Sequence, residues 1–337
     1  MAAAARVHAA PVLRTSEVSR HAARLVVIGA TPRLAAVADL PSLLRAGDLV
    51  VVNDAATLPA SLRGATARGE SFELRLSGPI DGTRLHGVLL GAGDYRTRTE
   101  DRRPPPSVAI GDRVTLGELP ATVIASAGRR VELAAHALPD ELWAHVYADG
   151  APVQYAHRAE RLPLYAVQTA YAARPWAAEM PSAGRPLTWS VLLGLRRAGV
   201  ELATLTHAAG LSSTGDAALD RVLPWPERYE IPQRTRDAIA RTHARGGRVI
   251  AIGTTVVRAL ESAHEAGAGI ATLRLDADYR PRVVDGLLSG LHVPGESHFE
   301  LLSAFAPVDQ LERAIELAAD NGLSGHELGD ACLILRA

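Results

Sequence analysis

Apolar and polar positions along the chain fall into three stretches of different period. In the first 61 residues two strand-like runs, RLVVIGA (24–30) and GDLVVVND (47–54), are joined by the helix-like LPSLLRAGD. From about 62 to 150 the period shortens. Phe72, Leu74 and Leu76 alternate with polar neighbours in SFELRLSG, and RLHGVLLG, DRVTLG, ATVIASA and RVELAAH follow at short intervals with glycine turns. Several short strands at that spacing predict a small barrel or sandwich, with DRRPPPS (101–107) as a surface loop inside it. From about 151 helix and strand patterns alternate again. PLTWSVLLGLRRAGV predicts an amphipathic helix with Thr188 near its start, ELATLTH a strand, and RTRDAIARTHARGG a helix ended by glycine and feeding the strand RVIAIG. ATLRL and RVVDGLL follow, then helices near SHFELLSAFA and VDQLERAIELAADNG, and a last strand at DACLILRA. The pattern predicts an α/β main domain built from both chain ends (1–61 and 151–337) with an inserted, mostly-β, barrel-like domain (62–150).

Composition narrows the chemistry. The chain has 337 residues, 47% of them hydrophobic, which suffices for two domains with real cores. All 36 basic residues are Arg; there is no Lys, so Schiff-base chemistry and a P-loop are excluded. One Cys excludes a disulfide framework and any multi-cysteine metal site. The net charge of −1 argues against a strongly electrostatic nucleic-acid binder. No run approaches the ~18 apolar residues of a membrane span, and MAAAARVHAAPVLRTSEVSR lacks the apolar region of a signal peptide. A soluble, cytoplasmic monomer without membrane contact is expected.

Several loops have the residue types that chemistry needs. In RVIAIGTTVVRALES (248–262) an apolar run stops at Gly253-Thr254-Thr255, and Arg258 and Glu261 follow at helical spacing. Thr254 or Thr255 as a simple cap, with an exposed Arg258–Glu261 pair, accounts for this corner. So does a helix start whose free N–H groups and hydroxyls receive a carboxylate. THAAGLSSTGD places His207 at a strand end before a Gly-, Ser- and Thr-rich loop, where it serves either as structure or as acid and base. EMPSAGRP, with Ser182 and Gly184, is a turn that also suits close approach of a ligand, and VVNDAATLP ends a strand at Asn53-Asp54. His292 and His298 fit no helical ligand spacing and no carboxylate completes them, so no metal is expected. Cys332 reads as a buried small hydrophobe. GxGxxG, HExxH and GxSxG are absent.

The order of these blocks says more than any one of them. LLRAGDLVVVND, LPASLRG, VQTAYA, PSAG, GVELATLTHAAGL, ERYEIP, RGGRVIAIGTTVVRALES, RVVDGLL, LHVP, LLSAFA and GDACLIL together resemble the S-adenosylmethionine:tRNA ribosyltransferase-isomerase family of queuosine biosynthesis, over about 42–64 and 165–335. The resemblance implies transfer and isomerisation of the ribosyl part of S-adenosylmethionine onto the aminomethyl group of a 7-deazaguanine in tRNA, with adenine and methionine leaving. Such a reaction needs a base for a C5′ hydrogen acidified by the sulfonium, and a neutral attacking amine. S-adenosylmethionine is then the cosubstrate, and no metal or redox cofactor is required. On that resemblance Asn53, Asp54, Ser182, Gly184, Gly210, Thr254, Thr255 and His292 contact the cosubstrate, and His207, Arg258 and Glu261 serve catalysis. His207 is the expected proton shuttle, so that His207→Gln slows turnover roughly 10²-fold or more.

The chain departs from the family pattern in its loops. Ala55-Ala56 stand for Thr-Arg, Arg185-Pro186-Leu187 for Leu-His-Phe, and Ser212-Ser213-Thr214-Gly215 for Gly-Thr-Phe-Arg. LPWPERYE replaces a His-rich run, Gly290 and Gly295 stand for Asn and Lys, and GLSGHEL replaces an aromatic and basic segment. These changes remove groups that neutralise phosphates and stack on bases. Weak, shallowly salt-dependent tRNA binding is therefore expected, with Arg185, Arg196, Arg197 and Arg258 as the basic rim. A paralogue with a small-molecule acceptor and a catalytically silent RNA- or partner-binding descendant are the alternatives.

Overall fold

The structure, a computed structural model, describes residue 13 and residues 18–155, 160–263, 267–325 and 328–336. Most of the N-terminal stretch inspected for a leader lies outside the described residues, as do His326 and Glu327 of GLSGHEL.

The chain opens with β1 (Arg24–Ile28), β2 (Arg33–Ala36), β3 (Leu49–Asn53) and the short β4 (Ala55–Thr57). Six strands follow: β5 (Ser61–Thr66), β6 (Ser71–Leu76), β7 (Arg84–Gly91), β8 (Arg113–Leu116), β9 (Leu119–Ala127) and β10 (Arg130–Ala135). After them come β11 (Arg174–Ala177), β12 (Glu201–His207), β13 (Glu227–Glu230) and β14 (Val249–Ile252). The last three are β15 (Ala268–Ala271), β16 (Gly286–Gly290) and β17 (Ala331–Leu335).

Nine strands make one mixed sheet in the order β15-β13-β12-β3-β14-β16-β17-β1-β2, with a parallel centre β12-β3-β14-β16. Helices cover both faces of that centre, which is why β3 and β14 are unbroken apolar runs. Leu49 and Val51 of β3 share a core with Val256 and Leu260 of the helix Thr254–Ser262 and Leu311 of the helix Val308–Asp320. Val50 and Val52 turn the other way, toward Leu40 and toward Val191 and Leu195 of the helix Trp189–Arg197. Thr188 caps that last helix, its hydroxyl accepting from the Val191 amide at 3.4 Å. Such a cap contributes about 1 kcal/mol.

The strands β5–β10 close a barrel in the order β10-β7-β6-β5-β8-β9. Phe72, Leu74 and Leu76 point into it as the alternation predicts. Their polar neighbours are not solvated, however. Glu73 and Arg75 are buried, and Glu73 accepts from the Arg75 Nε at 2.8 Å and from Arg102. The helix Pro139–Asp149, absent from the sequence reading, adds Leu142 and Val146 to the barrel core. With only two buried residues in eleven it leaves little helical signal. Two strand expectations shift. β15 ends at Ala271, where ATLRL begins, and β16 starts only at Gly286, because the amides of Arg282, Val283 and Val284 bond to Glu261 instead of a strand. No helix among the described residues is long and apolar enough to cross a membrane.

Candidate active site

Four strand ends meet at the C-terminal edge of the parallel centre. Leu205 of β12 stands beside Asn53 of β3, and Ile252 of β14 lies between Val52 of β3 and Leu288 of β16. In open α/β sheets ligands bind at this edge. Asn53 ties it together. Its Oδ1 accepts the His207 and Ala55 amides at 2.9 and 3.0 Å, while Nδ2 donates to the His207 carbonyl at 2.9 Å and to Thr255 Oγ1 at 3.4 Å. An aspartate has no donor for the last two. The next residue, Asp54, accepts the Thr206 hydroxyl at 2.5 Å and so fixes the same pair of strand ends.

The corner after β14 is capped by Gly253 rather than by a threonine. Its φ of +92° lies in the region that favours glycine, and no side chain caps the helix. Thr254 and Thr255 are therefore the first helical residues, and their amides are among those that no intrahelical carbonyl reaches. The turn Ser182–Gly184 packs on this corner: a Cβ on Gly253 would stand 3.4 Å from that of Ala183. Gly184 has no room for a side chain, since a Cβ there would lie 2.0 Å from the Tyr171 hydroxyl.

Behind the corner lies a buried ion pair. Arg258 is 5% exposed and Glu227, at the start of β13, 8%. The guanidinium donates to Glu227, to the Ala271 carbonyl at 3.0 Å, and to the Trp225 and Leu273 carbonyls at 3.3 Å. Glu227 also accepts the Gly210 amide at 2.6 Å, and a Cβ on Gly210 would stand 3.0 Å from that carboxylate oxygen. Burial, with Arg274 nearby, pushes the Arg258 pKa down to about 10, so the group stays cationic at neutral pH. His207 is fully buried, with Nε2 3.6 Å from Glu227 Oε2, beyond hydrogen-bonding distance. Neither ring nitrogen has a partner among the described residues. Burial first, and the charge of Arg258 second, push its pKa down to about 3, so the ring stays neutral.

Arg258 and Glu261 do not form an exposed pair. Both are buried, and Glu261 accepts the Tyr279 hydroxyl and the amides of Arg282, Val283 and Val284 at 3.0 to 3.2 Å. Glu261 thus braces a loop, and the carboxylate on Arg258 is Glu227. His292 lies two residues past β16, with Nδ1 3.2 Å from Glu296 Oε2 and its ring stacked on His298 at 4.7 Å. Of the four arginines expected to form a basic rim, only Arg196 and Arg197 are exposed; Arg185 is buried and donates to the Val18 carbonyl at 2.7 Å.

Sequence reasoning missed Glu227, Glu179 and Tyr155. Glu179 accepts from the Tyr155 hydroxyl and from the Ser212 amide at 2.8 Å, and the Ser213 amide donates to Tyr155 at 3.1 Å. The loop Ser212–Gly215 is in this way stitched toward the barrel, and a Cβ on Gly215 would lie 2.4 Å from the Thr99 carbonyl. Its small residues permit that packing. Glu227 opens the block ERYEIP, but only the distant Arg258 explains why it is buried. Among the described residues, no group of three or more His, Cys, Asp or Glu is placed to hold a metal ion.

Comparison with known proteins agrees with this architecture. The model of a family described as queuosine biosynthesis protein matches residues 7–334. An S-adenosylmethionine:tRNA ribosyltransferase-isomerase of Thermus thermophilus is 33% identical over 314 residues, 89% of this chain and 87% of the relative. One from Methylobacterium sp. 4-46 is 34% identical over 341 residues, 94% and 93% of the two chains. The crystal structure of an S-adenosylmethionine tRNA ribosyltransferase from Thermotoga maritima shares the fold, with a TM-score of 0.51 at 22% identity over 97% of this chain and 96% of that one. With a family match along almost its whole length, the chain belongs to the queuosine biosynthesis protein family.

Proposed function

We propose that this protein is an enzyme that transfers and isomerises the ribosyl moiety of S-adenosylmethionine onto an amine, and that the amine is the aminomethyl group of 7-aminomethyl-7-deazaguanine in tRNA. The observation that carries this reading is the 33–34% identity, over most of both chains, to enzymes named for that reaction. The site geometry supports it. The Thr254 and Thr255 amides at a helix start suit the methionyl carboxylate of the cosubstrate. Asn53 holds Thr255 and the His207 backbone in register, and the Ser182–Gly184 turn closes the corner without a bulky side chain. Glu227 and Arg258 are buried against each other behind this corner, and the Gly210 amide donates to Glu227, so their charges are fixed by the protein before any ligand arrives.

Incubation with S-adenosylmethionine and tRNA bearing the unmodified deazaguanine tests the proposal. Adenine and methionine release, with a mass gain on the tRNA nucleoside, is the expected result. Release that needs only the free base would move the acceptor to a small molecule. No release under any condition would leave a binding protein.

A further inference from the structure

The reaction proposed above needs a base, and His207, the expected one, is sealed. We infer that His292 accepts the C5′ proton of the cosubstrate, with Glu296 as its positioning residue. This rests on the proposed function, which supplies the sulfonium that acidifies C5′–H.

Four observations place the base there. His292 follows β16 at the same sheet edge as the Gly253 corner, because the Gly253 amide bonds to the Leu288 carbonyl at 2.8 Å and the chain runs on from Leu288 past the strand end. Its side chain is 21% exposed, against 0% for His207. Glu296 lies 3.2 Å from Nδ1 and also accepts the Val293 amide at 3.3 Å, so the carboxylate is fixed by the loop it orients. Burial raises the Glu296 pKa, but the His292 hydrogen bond and charge outweigh it and hold the carboxyl below its ordinary range. An ionised Glu296 selects the tautomer with the proton on Nδ1, leaving the lone pair on Nε2.

The fourth observation concerns the space in front of that lone pair. A Cβ on Gly290 would stand 3.6 Å from Nε2. Glycine there presents no side chain to that edge of the imidazole. His298, stacked at 4.7 Å with an interplanar angle of 18°, covers one face of the ring. In the proposed step the C5′–H bond breaks, its electron pair remains on carbon beside the sulfonium, and the proton goes to Nε2. The resulting imidazolium is stabilised by Glu296. The charged and titratable groups nearest to it are Glu296 and His298 from its own segment, with Arg258, from the helix after β14, acting on His298, and Cys332 of β17, whose thiol bonds to the Gly290 carbonyl at 3.4 Å.

Deuterium uptake at C5′ of S-adenosylmethionine, read by mass spectrometry beside product formation, tests the assignment. In His292→Gln both uptake and turnover are expected to fall about 10²-fold or more. Cosubstrate affinity by calorimetry should stay within several-fold, which also shows that the variant folds. Glu296→Gln should lower kcat and deuterium uptake while KM for S-adenosylmethionine stays within several-fold, because the ring loses the carboxylate that orients it; Glu296→Asp should restore part of both. A wild type that consumes no S-adenosylmethionine overturns the proposed function itself. An active wild type whose His292→Gln form keeps its uptake and rate overturns the assignment of the base alone.

Discussion

Two histidines stand at the same edge of one sheet, at strand ends separated by β3 and β14, and have opposite surroundings. His207 ends β12 inside a closed packing of Asn53, Glu227 and Arg258, with no hydrogen-bond partner at either nitrogen among the described residues. His292 follows β16 and is partly exposed, oriented by a carboxylate and stacked on a second imidazole. Sequence position alone ranks the first above the second, because it ends a strand before a Gly-, Ser- and Thr-rich loop. Surroundings reverse the ranking. A proton-transfer group needs access to its substrate and a partner that stabilises its charged form; of the two, His292 is the partly exposed one and has a carboxylate within hydrogen-bonding distance. His207 is a buried, neutral ring whose backbone Asn53 grips and whose Nε2 lies 3.6 Å from Glu227.

The largest effect that would test this contrast lies in the ion pair beneath His207. Arg258→Met leaves Glu227 buried without its cation and is expected to destabilise the fold by about 3–5 kcal/mol in urea unfolding. Arg258→Met with Glu227→Gln should recover part of that loss. A change below about 1 kcal/mol for the single variant would mean that water reaches the pair, and the sealed description of this region would fail.

A middle-sized effect separates the two histidines by pH. The His207 pKa is about 3 in the fold, against 6.5 as its ordinary value, so the unfolded chain takes the proton first. Its stabilising contribution is complete above pH ~6.5 and is lost progressively as pH falls toward 3. Between pH 7.5 and 5.0 this loss is about 2 kcal/mol, and His207→Gln should flatten the stability profile by that amount. In turnover, His207→Gln should cost less than His292→Gln. The opposite order would return the proton to His207.

The smallest effect concerns the rim. Each phosphate contact contributes about 0.7–0.9 to the slope of log affinity against log salt. Arg196→Ala or Arg197→Ala, both on the exposed face of one helix, should flatten the slope for tRNA by no more than that. Arg185→Ala should leave it unchanged, because that guanidinium is buried on the Val18 carbonyl. A filter-binding series at several salt concentrations reads all three.

Local signals carried much of the fold. Val249–Ile252 and residues 49–52 are unbroken apolar runs because both faces of the sheet are covered, and Phe72, Leu74 and Leu76 alternate because the barrel has an inside. What no local signal carries is partnership over distance. The placement of β17 between β16 and β1, antiparallel to one and parallel to the other, follows from packing of both chain ends. The site shows the same limit. Asn53, Thr255, His207 and Gly210 were legible as strand ends and small loops, whereas Glu227 looks like an ordinary polar strand residue until Arg258, 31 positions on, is folded against it. Glu261 was misjudged for the mirrored reason: its proximity to Arg258 along the helix suggested a pair, but its oxygens are taken by a loop 18 to 23 residues away.

The thiol of Cys332 offers a clock for the segment that bears His292. It is the sole sulfhydryl in the chain, is 1% exposed, and donates to the carbonyl of Gly290, two residues before His292. Burial pushes its pKa up to about 12, so almost none of it is thiolate at neutral pH while the fold is closed. A disulfide reagent can then react only during moments when the edge between β16 and β17 parts, and its rate counts those openings. Any molecule that settles against His292 and holds the edge shut will slow the clock, with no radioactive label or engineered probe required.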